Sequence, residues 1–275
     1  GELTASGAAS VTMEGFSGTA VQTNTAFSMG DSVHLTGSTE LDNGMTVSMS
    51  FELDGVNESG TSAYDDNSLT ISSDSLGTIK FSAHGGSSAA SALDTTAAGD
   101  MWDNFDALTT GNAATKAAGA GENSFFYTIP SMVDGLSVSA SLNTAGTTGN
   151  SALGYSATYA GVEGLSISFG VADIESGAAS TTGDQTAMKA SYAYGPVTVA
   201  YSNSEYDIGT TSDEASEQEV SSYSVSYTVS DSLSVTYGSE TIESGLAGSI
   251  DAEYEGISAA YTAGGMTITA KRQEG

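Results

Sequence analysis

Apolar residues fall on alternate positions through most of this chain, in short runs separated by polar, glycine-bearing breaks. Met45, Val47, Met49, Phe51 and Leu53 interleave with Thr46, Ser48, Ser50, Glu52 and Asp54. Successive side chains of a strand point to opposite faces, so such a run is a ribbon apolar on one side and wet on the other. The same parity sets Val33, Leu35, Gly37, Thr39 and Leu41 against Ser32, His34, Thr36, Ser38 and Glu40. It recurs at Leu165, Ile167, Phe169 and Val171, and at Leu233, Val235 and Tyr237. The pattern predicts fifteen strands, over 2–14, 31–41, 45–54, 66–74, 78–84, 123–129, 136–142, 151–160, 165–173, 186–194, 197–203, 220–229, 233–240, 253–262 and 266–272.

The joins alternate in length. Short ones are Asp42-Asn43-Gly44, Asp74 to Gly77, Pro130 to Gly135, Gly161 to Gly164, Gly195-Pro196, Ser230 to Ser232 and Ala263 to Gly265, and most carry glycine, as hairpin turns do. The others run longer, up to Gly85 to Glu122. Short turns on one side and long loops on the other are the mark of an up-and-down barrel. A Greek-key sandwich has no reason to keep that order, although it would bury the same apolar set between two sheets. The expected fold is all-β: a transmembrane up-and-down antiparallel β-barrel, one domain over 1–275, with its serine and threonine face inward.

Bacterial single-chain barrels close with an even number of strands, and an open edge in lipid costs several kcal/mol for each unpaired backbone group. Sixteen strands are therefore expected, the closing one beyond Lys271-Arg272-Gln273-Glu274-Gly275, which reads as the start of a loop. At the other end Gly1-Glu2 opens directly into a strand, as a mature N-terminus left after export would.

Tyrosine placement refines the picture. Tyr159, Tyr194 and Tyr261 lie on the apolar parity close to short turns, and Tyr155, Tyr192, Tyr201, Tyr223, Tyr227 and Tyr237 share that parity. They fit a girdle at a membrane–water boundary, ring in lipid and hydroxyl in water, with plain strand propensity as the alternative account. Strand 2–14 instead presents Leu3, Ala5, Gly7, Ala9, Val11 and Met13. Small residues permit close approach of another protein surface. The first five strands are therefore expected to face sister subunits, in an arrangement that a three-fold cyclic assembly would suit, and the later ones to face outer-membrane lipid.

Composition narrows the function. Thirty-four acids face five bases, Lys80, Lys116, Lys189, Lys271 and Arg272, for a net charge of −29 that argues against nucleic acid as a partner. Two readings of the acidity stand: solubility or salt adaptation, and a negative mouth that concentrates cations. No run approaches the roughly 18 apolar residues of a membrane helix, whereas a barrel strand needs only about 9–11 residues, half of them polar. Cysteine is absent, and neither a phosphate-binding glycine loop nor a zinc-protease motif occurs. His34 and His84 have no motif around them, and serine and aspartate are too common for any assembled triad to carry weight, so no enzyme is expected.

Two segments carry a family resemblance. One is Leu76-Gly77-Thr78-Ile79-Lys80-Phe81-Ser82-Ala83-His84. The other is Glu122-Asn123-Ser124-Phe125-Phe126-Tyr127-Thr128-Ile129-Pro130, followed by Gly135-Leu136-Ser137-Val138-Ser139-Ala140-Ser141. They resemble the Gram-negative general porins, especially the alphaproteobacterial branch, and the likeness runs in strand order over the whole chain. The resemblance implies a sixteen-stranded trimeric barrel in the outer membrane, with the third loop folded into the lumen as a constriction. Two departures stand out. The family carries basic residues at the end of strand five, where this chain has Ser82 and His84 with only Lys80 inside, and it ends in an aromatic residue, which Gly275 is not.

The matching loop is Gly85 to Glu122, small and polar except for Met101-Trp102-Asp103-Asn104-Phe105-Asp106-Ala107-Leu108, which holds the only tryptophan. That patch is expected to form a helical turn anchoring the loop to the wall. Asp94, Asp100, Asp103 and Asp106 would then bring acids into the lumen, opposite Lys80, His84, His34, Glu40, Glu52 and Lys189 on inward parity. A carboxylate-rich ring attracts cations, so the expected activity is passive diffusion of small hydrophilic solutes and ions with a cation preference and no cofactor. Loop 204–219 carries Glu205, Asp207, Asp213, Glu214, Glu217 and Glu219 in no EF-hand spacing, which suggests at most loose Ca²⁺ or Mg²⁺ bridging to acidic lipid. The alternative function is an acidic, non-enzymatic surface β protein, an adhesin or surface-layer protein, which would need neither the short–long alternation nor the tyrosine placement.

Overall fold

The computed structural model describes residues 2–15, 25–54, 64–93, 95–102, 123–144, 151–175, 182–207, 217–245 and 248–275. Fifteen strands make one antiparallel sheet: β1 (Glu2–Gly15), β2 (Thr25–Glu40), β3 (Thr46–Asp54), β4 (Tyr64–Ser73), β5 (Gly77–His84), β6 (Ser124–Thr128), β7 (Leu136–Thr144), β8 (Ser151–Tyr159), β9 (Leu165–Glu175), β10 (Gly183–Tyr194), β11 (Val197–Asp207), β12 (Gln218–Ser230), β13 (Leu233–Ser244), β14 (Ala252–Ala263) and β15 (Met266–Glu274). Each strand pairs with its neighbours in sequence, without crossovers. β1 and β15 stand at the two ends of that order. Among the described residues no ladder joins them, so closure and a sixteenth strand lie outside what the structure shows.

The short turns form as their residues dictate. At 41–45, Met45 N donates to Asn43 Oδ1 at 3.1 Å and Gly44 N to Leu41 O at 2.9 Å, while Gly44 takes a φ of +80° that a side chain would resist.

Every predicted strand is present, but several run further than the alternation does, the larger extensions toward the long connections. β2 begins at Thr25 rather than 31, β11 ends at Asp207 rather than 203, and β13 at Ser244 rather than 240. The added rungs include Glu205 opposite Glu219 and Glu219 opposite Glu243. There the outward positions turn acidic while Tyr206 and Ile242 take inward ones, so the ladder continues after the period-two signal has stopped.

The two faces decide between barrel and sandwich. Phe169 and Ile257 are each 52% exposed, and the nine tyrosines assigned above to the girdle are all exposed. On the opposite face Ser222 is 2% exposed and Gln185 0%. A sandwich would bury the first set between its sheets, whereas here no second sheet covers it. The outer face carries its own cross-strand pairs. Phe81 meets Phe125 edge-on at 5.2 Å, and Tyr127 donates its hydroxyl to Leu76 O at 2.6 Å, tying a ring to the neighbouring short turn.

Candidate functional site

Among the described residues, the inner face holds one long segment that leaves the sheet. It departs at Gly85, whose φ of +65° and close contact with the Asp66 carboxylate leave no room for a Cβ. His84, the last residue of β5, is fixed just before it by donating its N–H to Asn67 Oδ1 at 3.1 Å. From there the segment runs as a strap over the inner wall, meeting one strand after another from β7 to β14.

Polar inward side chains receive its backbone. Ala89 N donates to Ser141 Oγ on β7 at 2.7 Å, Ala97 N to Ser202 Oγ on β11 at 2.7 Å, and Ala98 N to Ser222 Oγ on β12 at 2.9 Å. On β10, Lys189 donates its ammonium to Thr95 O at 2.8 Å. Between these fasteners Ser88 organises the strap locally, its hydroxyl accepting from Ser91 N at 2.9 Å at the start of a 3₁₀ turn, Ser91–Leu93.

Glycines on the inward parity supply the groove. A Cβ at Gly170 would lie 3.0 Å from Ala90 Cα, and one at Gly238 2.8 Å from Ala98 Cβ; at Gly154 and Gly256 it would lie 3.2 Å from Ala89 N and 3.1 Å from Met101 Sδ. The strap answers with small residues, and Ala89 and Ala90 are fully buried against this groove.

Its far end sits in an apolar socket. Met101 is buried against Val220, Ile242 and Tyr254, with Ala98, Trp102 and Ala252 packed around them. These wall residues lie on β12, β13 and β14 in positions where the inner face otherwise carries polar or small side chains. The Trp102 indole N–H is buried there without a hydrogen-bond partner. At the edge of the socket Glu240 of β13, 1% exposed, accepts from Thr96 Oγ1 at 2.5 Å and from Trp102 N at 3.3 Å.

The residues singled out from sequence fall into three groups. Lys189, Asp100 and the strap come together: the Asp100 carboxylate accepts from Thr96 N at 2.8 Å, and Lys189 is a tether. Lys80 and Glu52 stand on the wall that the described strap leaves uncovered. There Glu52 lies 3.3 Å from His34 Nε2, and Lys80 is exposed. Glu40 is apart from both, the last residue of β2, opposite Thr46 beside the short turn. Asp94, Asp103 and Asp106 lie outside the described residues, as do Asp213 and Glu214 of the acidic loop. Among the described residues no three acidic or histidine side chains are arranged to hold a metal ion.

Sequence reasoning passed over Ser141, Ser202, Ser222 and Glu240, the four wall acceptors of the strap. A signal for their setting was present. Inward glycines recur on β8, β9, β13 and β14, and Val220, Ile242 and Tyr254 are apolar on a polar parity.

A meander of strands wet within and apolar without, crossed inside by one long strap, is a channel architecture. The sequence profile of the Gram-negative porins matches residues 2–270. The chain belongs to the Gram-negative porin family.

Solved structures agree on the fold. A porin refined at 1.8 Å superposes with a TM-score of 0.72 at 16% identity, covering 99% of this chain and 94% of that one. A triple variant of the Rhodopseudomonas blastica porin gives 0.72 at 15% identity over 100% and 95%. A protein engineered for asymmetric conductivity gives 0.74 at 16% identity over 100% and 95%. No curated protein sequence matches the chain. The porin is thus an outer-membrane channel for passive diffusion of small hydrophilic solutes, and membership of this non-enzymatic family sets aside the surface-layer alternative.

Proposed function

We propose that this channel prefers cations and works as a homotrimer assembled through β1 to β5. The observation that carries the preference is the unequal fate of charge on the inner wall. Lys189 spends its ammonium on Thr95 O, while Glu2 and Glu52 line the uncovered wall against Lys80, with Glu40 beside the short turn at its edge. Beside Glu2 that wall is a concave strip of Thr4, Thr36, Ser38, Ser48 and Ser50, which can hydrate an ion but carries no base. Carboxylates on a low-dielectric wall attract cations and repel anions. Reversal potentials across a planar bilayer in a KCl gradient test this: a cation-selective sign is expected, and an anion-selective sign overturns the reading.

The assembly proposal rests on the outer face of β1. Leu3, Val11 and Met13 are 67%, 64% and 73% exposed, and Ala5, Gly7 and Ala9 lie between them. The exposed tyrosines Tyr127, Tyr155, Tyr192, Tyr201, Tyr223 and Tyr261 all belong to β6 and later strands. A flat face of small and aliphatic groups suits a sister subunit, and a tyrosine-bearing face suits the lipid boundary.

A further inference from the structure

We propose that Glu240 is the positioning residue of the constriction: it clasps the strap to the wall and so keeps the bore open and steady. The proposal rests on the channel activity of the family and is independent of ion preference.

Its geometry is unusual for the lumen. A carboxylate buried to 1% exposure is costly unless its oxygens are hydrogen-bonded, and those of Glu240 are bonded to the strap. One oxygen accepts from the Thr96 hydroxyl and the other from Trp102 N, so a single side chain holds both ends of the segment 96–102.

That segment is closed on itself before it meets Glu240. Thr96 N donates to Asp100 Oδ1 and Asp100 N to Thr96 Oγ1, each at 2.8 Å, and Gly99 N donates to Thr96 O at 3.1 Å. Gly99 and Asp100 both take positive φ, +85° and +51°. Glu240 therefore grips a preformed ring, and the Thr96 hydroxyl serves as hub, accepting from Asp100 and donating to Glu240.

The neighbouring fasteners differ in kind. Ser202 and Ser222 each offer one neutral acceptor, and Ser222 also donates its own proton to Ser239 O at 3.0 Å. Only Glu240 joins a charge-assisted bond to a two-point grip, so its loss leaves the ring hydrogen-bonded to the wall on one side alone, through Ser202, Ser222 and the Lys189 bond to Thr95 O, with the apolar Met101 socket as the remaining hold on β13. A ring so loosened fluctuates into the lumen and interrupts the current.

The test compares Glu240→Leu, Glu240→Gln and Thr96→Val with the parent in planar bilayers. The parent gives a steady open current. Glu240→Leu removes both acceptors and is expected to raise open-channel current noise and brief closures several-fold; Glu240→Gln keeps one acceptor and falls between. Thr96→Val removes the hub without touching the barrel wall and gives the same flicker even where the Glu240 variants fail to fold. A purely structural role would lower the temperature of heat-modifiable migration and leave the noise spectrum unmoved. Quiet, full-size currents from Thr96→Val, or from a folded Glu240→Leu, overturn the clasp, whereas a parent that conducts nothing would overturn the channel reading beneath it.

Discussion

Lys189 and Thr95 are joined by a 2.8 Å hydrogen bond from the ammonium of one to the carbonyl oxygen of the other, a link from β10 to the strap. The bond removes one of the few inward bases from service as a free charge. Lys80, by contrast, is exposed on the uncovered wall. Lys80→Met should therefore shift the reversal potential further toward cation preference, because a charge within about 8–10 Å of a passing ion is felt at physiological salt. Lys189→Met should leave the reversal potential nearly unchanged and act instead on current noise. Equal shifts from the two variants would show that Lys189 faces the permeating ions.

The groove under the strap gives a second expectation. Gly238 faces Ala98 so closely that a Cβ would sit 2.8 Å away. Gly238→Val must push the strap off β13 and toward the open side of the lumen. Single-channel conductance should fall while heat-modifiable migration shows an intact barrel; unchanged conductance would mean that the strap yields without entering the path.

These two positions also show what the sequence could and could not disclose. Period-two alternation located every strand, because one face of each ribbon is apolar across the membrane band. The alternation stops where outward positions become acidic and Tyr206 and Ile242 take inward ones, so the pattern ends at 203 and 240 while β11 and β13 run on to Asp207 and Ser244. The lone Trp102 marked a place where the loop is anchored, and Met101 beside it does fill a socket, while 103–108 of the expected helical turn lie outside the described residues. The socket itself was hidden, because Val220, Ile242 and Tyr254 each break the parity of a separate strand by a single residue. Lys189 was legible as inward but not as a tether, since its partner is a backbone carbonyl that any residue at 95 would supply.

Above the tyrosine-bearing band, acids face one another across the ladder. Asp173, Asp184 and Asp207 form one row, and Glu205, Glu219 and Glu243 another. Like charges directly opposite destabilise a sheet by about 0.2–1 kcal/mol per pair, less in salt. Glu219→Gln relieves two such pairs, although it alters the acceptor of a 2.8 Å bond from Asn203 Nδ2. Resistance to urea should rise at low ionic strength, with the gain shrinking as salt is added. A loss of resistance at low salt would show that the Asn203 bond outweighs the repulsion.

The lipid face offers a sharper contrast. Phe169 is outward and exposed, and its neighbour Ser168 is inward and buried. Phe169→Arg should cost about 2–4 kcal/mol of stability in vesicles, the usual penalty for a cation near mid-bilayer, as measured by urea unfolding. A negligible cost would place that face away from hydrocarbon.

The outward surface of β1 is tested by bulk. Ala5→Trp or Gly7→Trp should dissociate the proposed homotrimer on a native gel and leave monomers that still migrate as folded barrels. An unchanged oligomer would assign the contact to another face.

Because the strap is fastened in turn to β7 through β14, it acts on that arc as an internal rib, linking strands as far apart in the sheet as β7 and β14. Lateral pressure from a bilayer can flatten an unribbed tube wall, and the described strap leaves β1 to β5 without such support. In the proposed trimer, a sister subunit pressed against β1 would stiffen that side from outside.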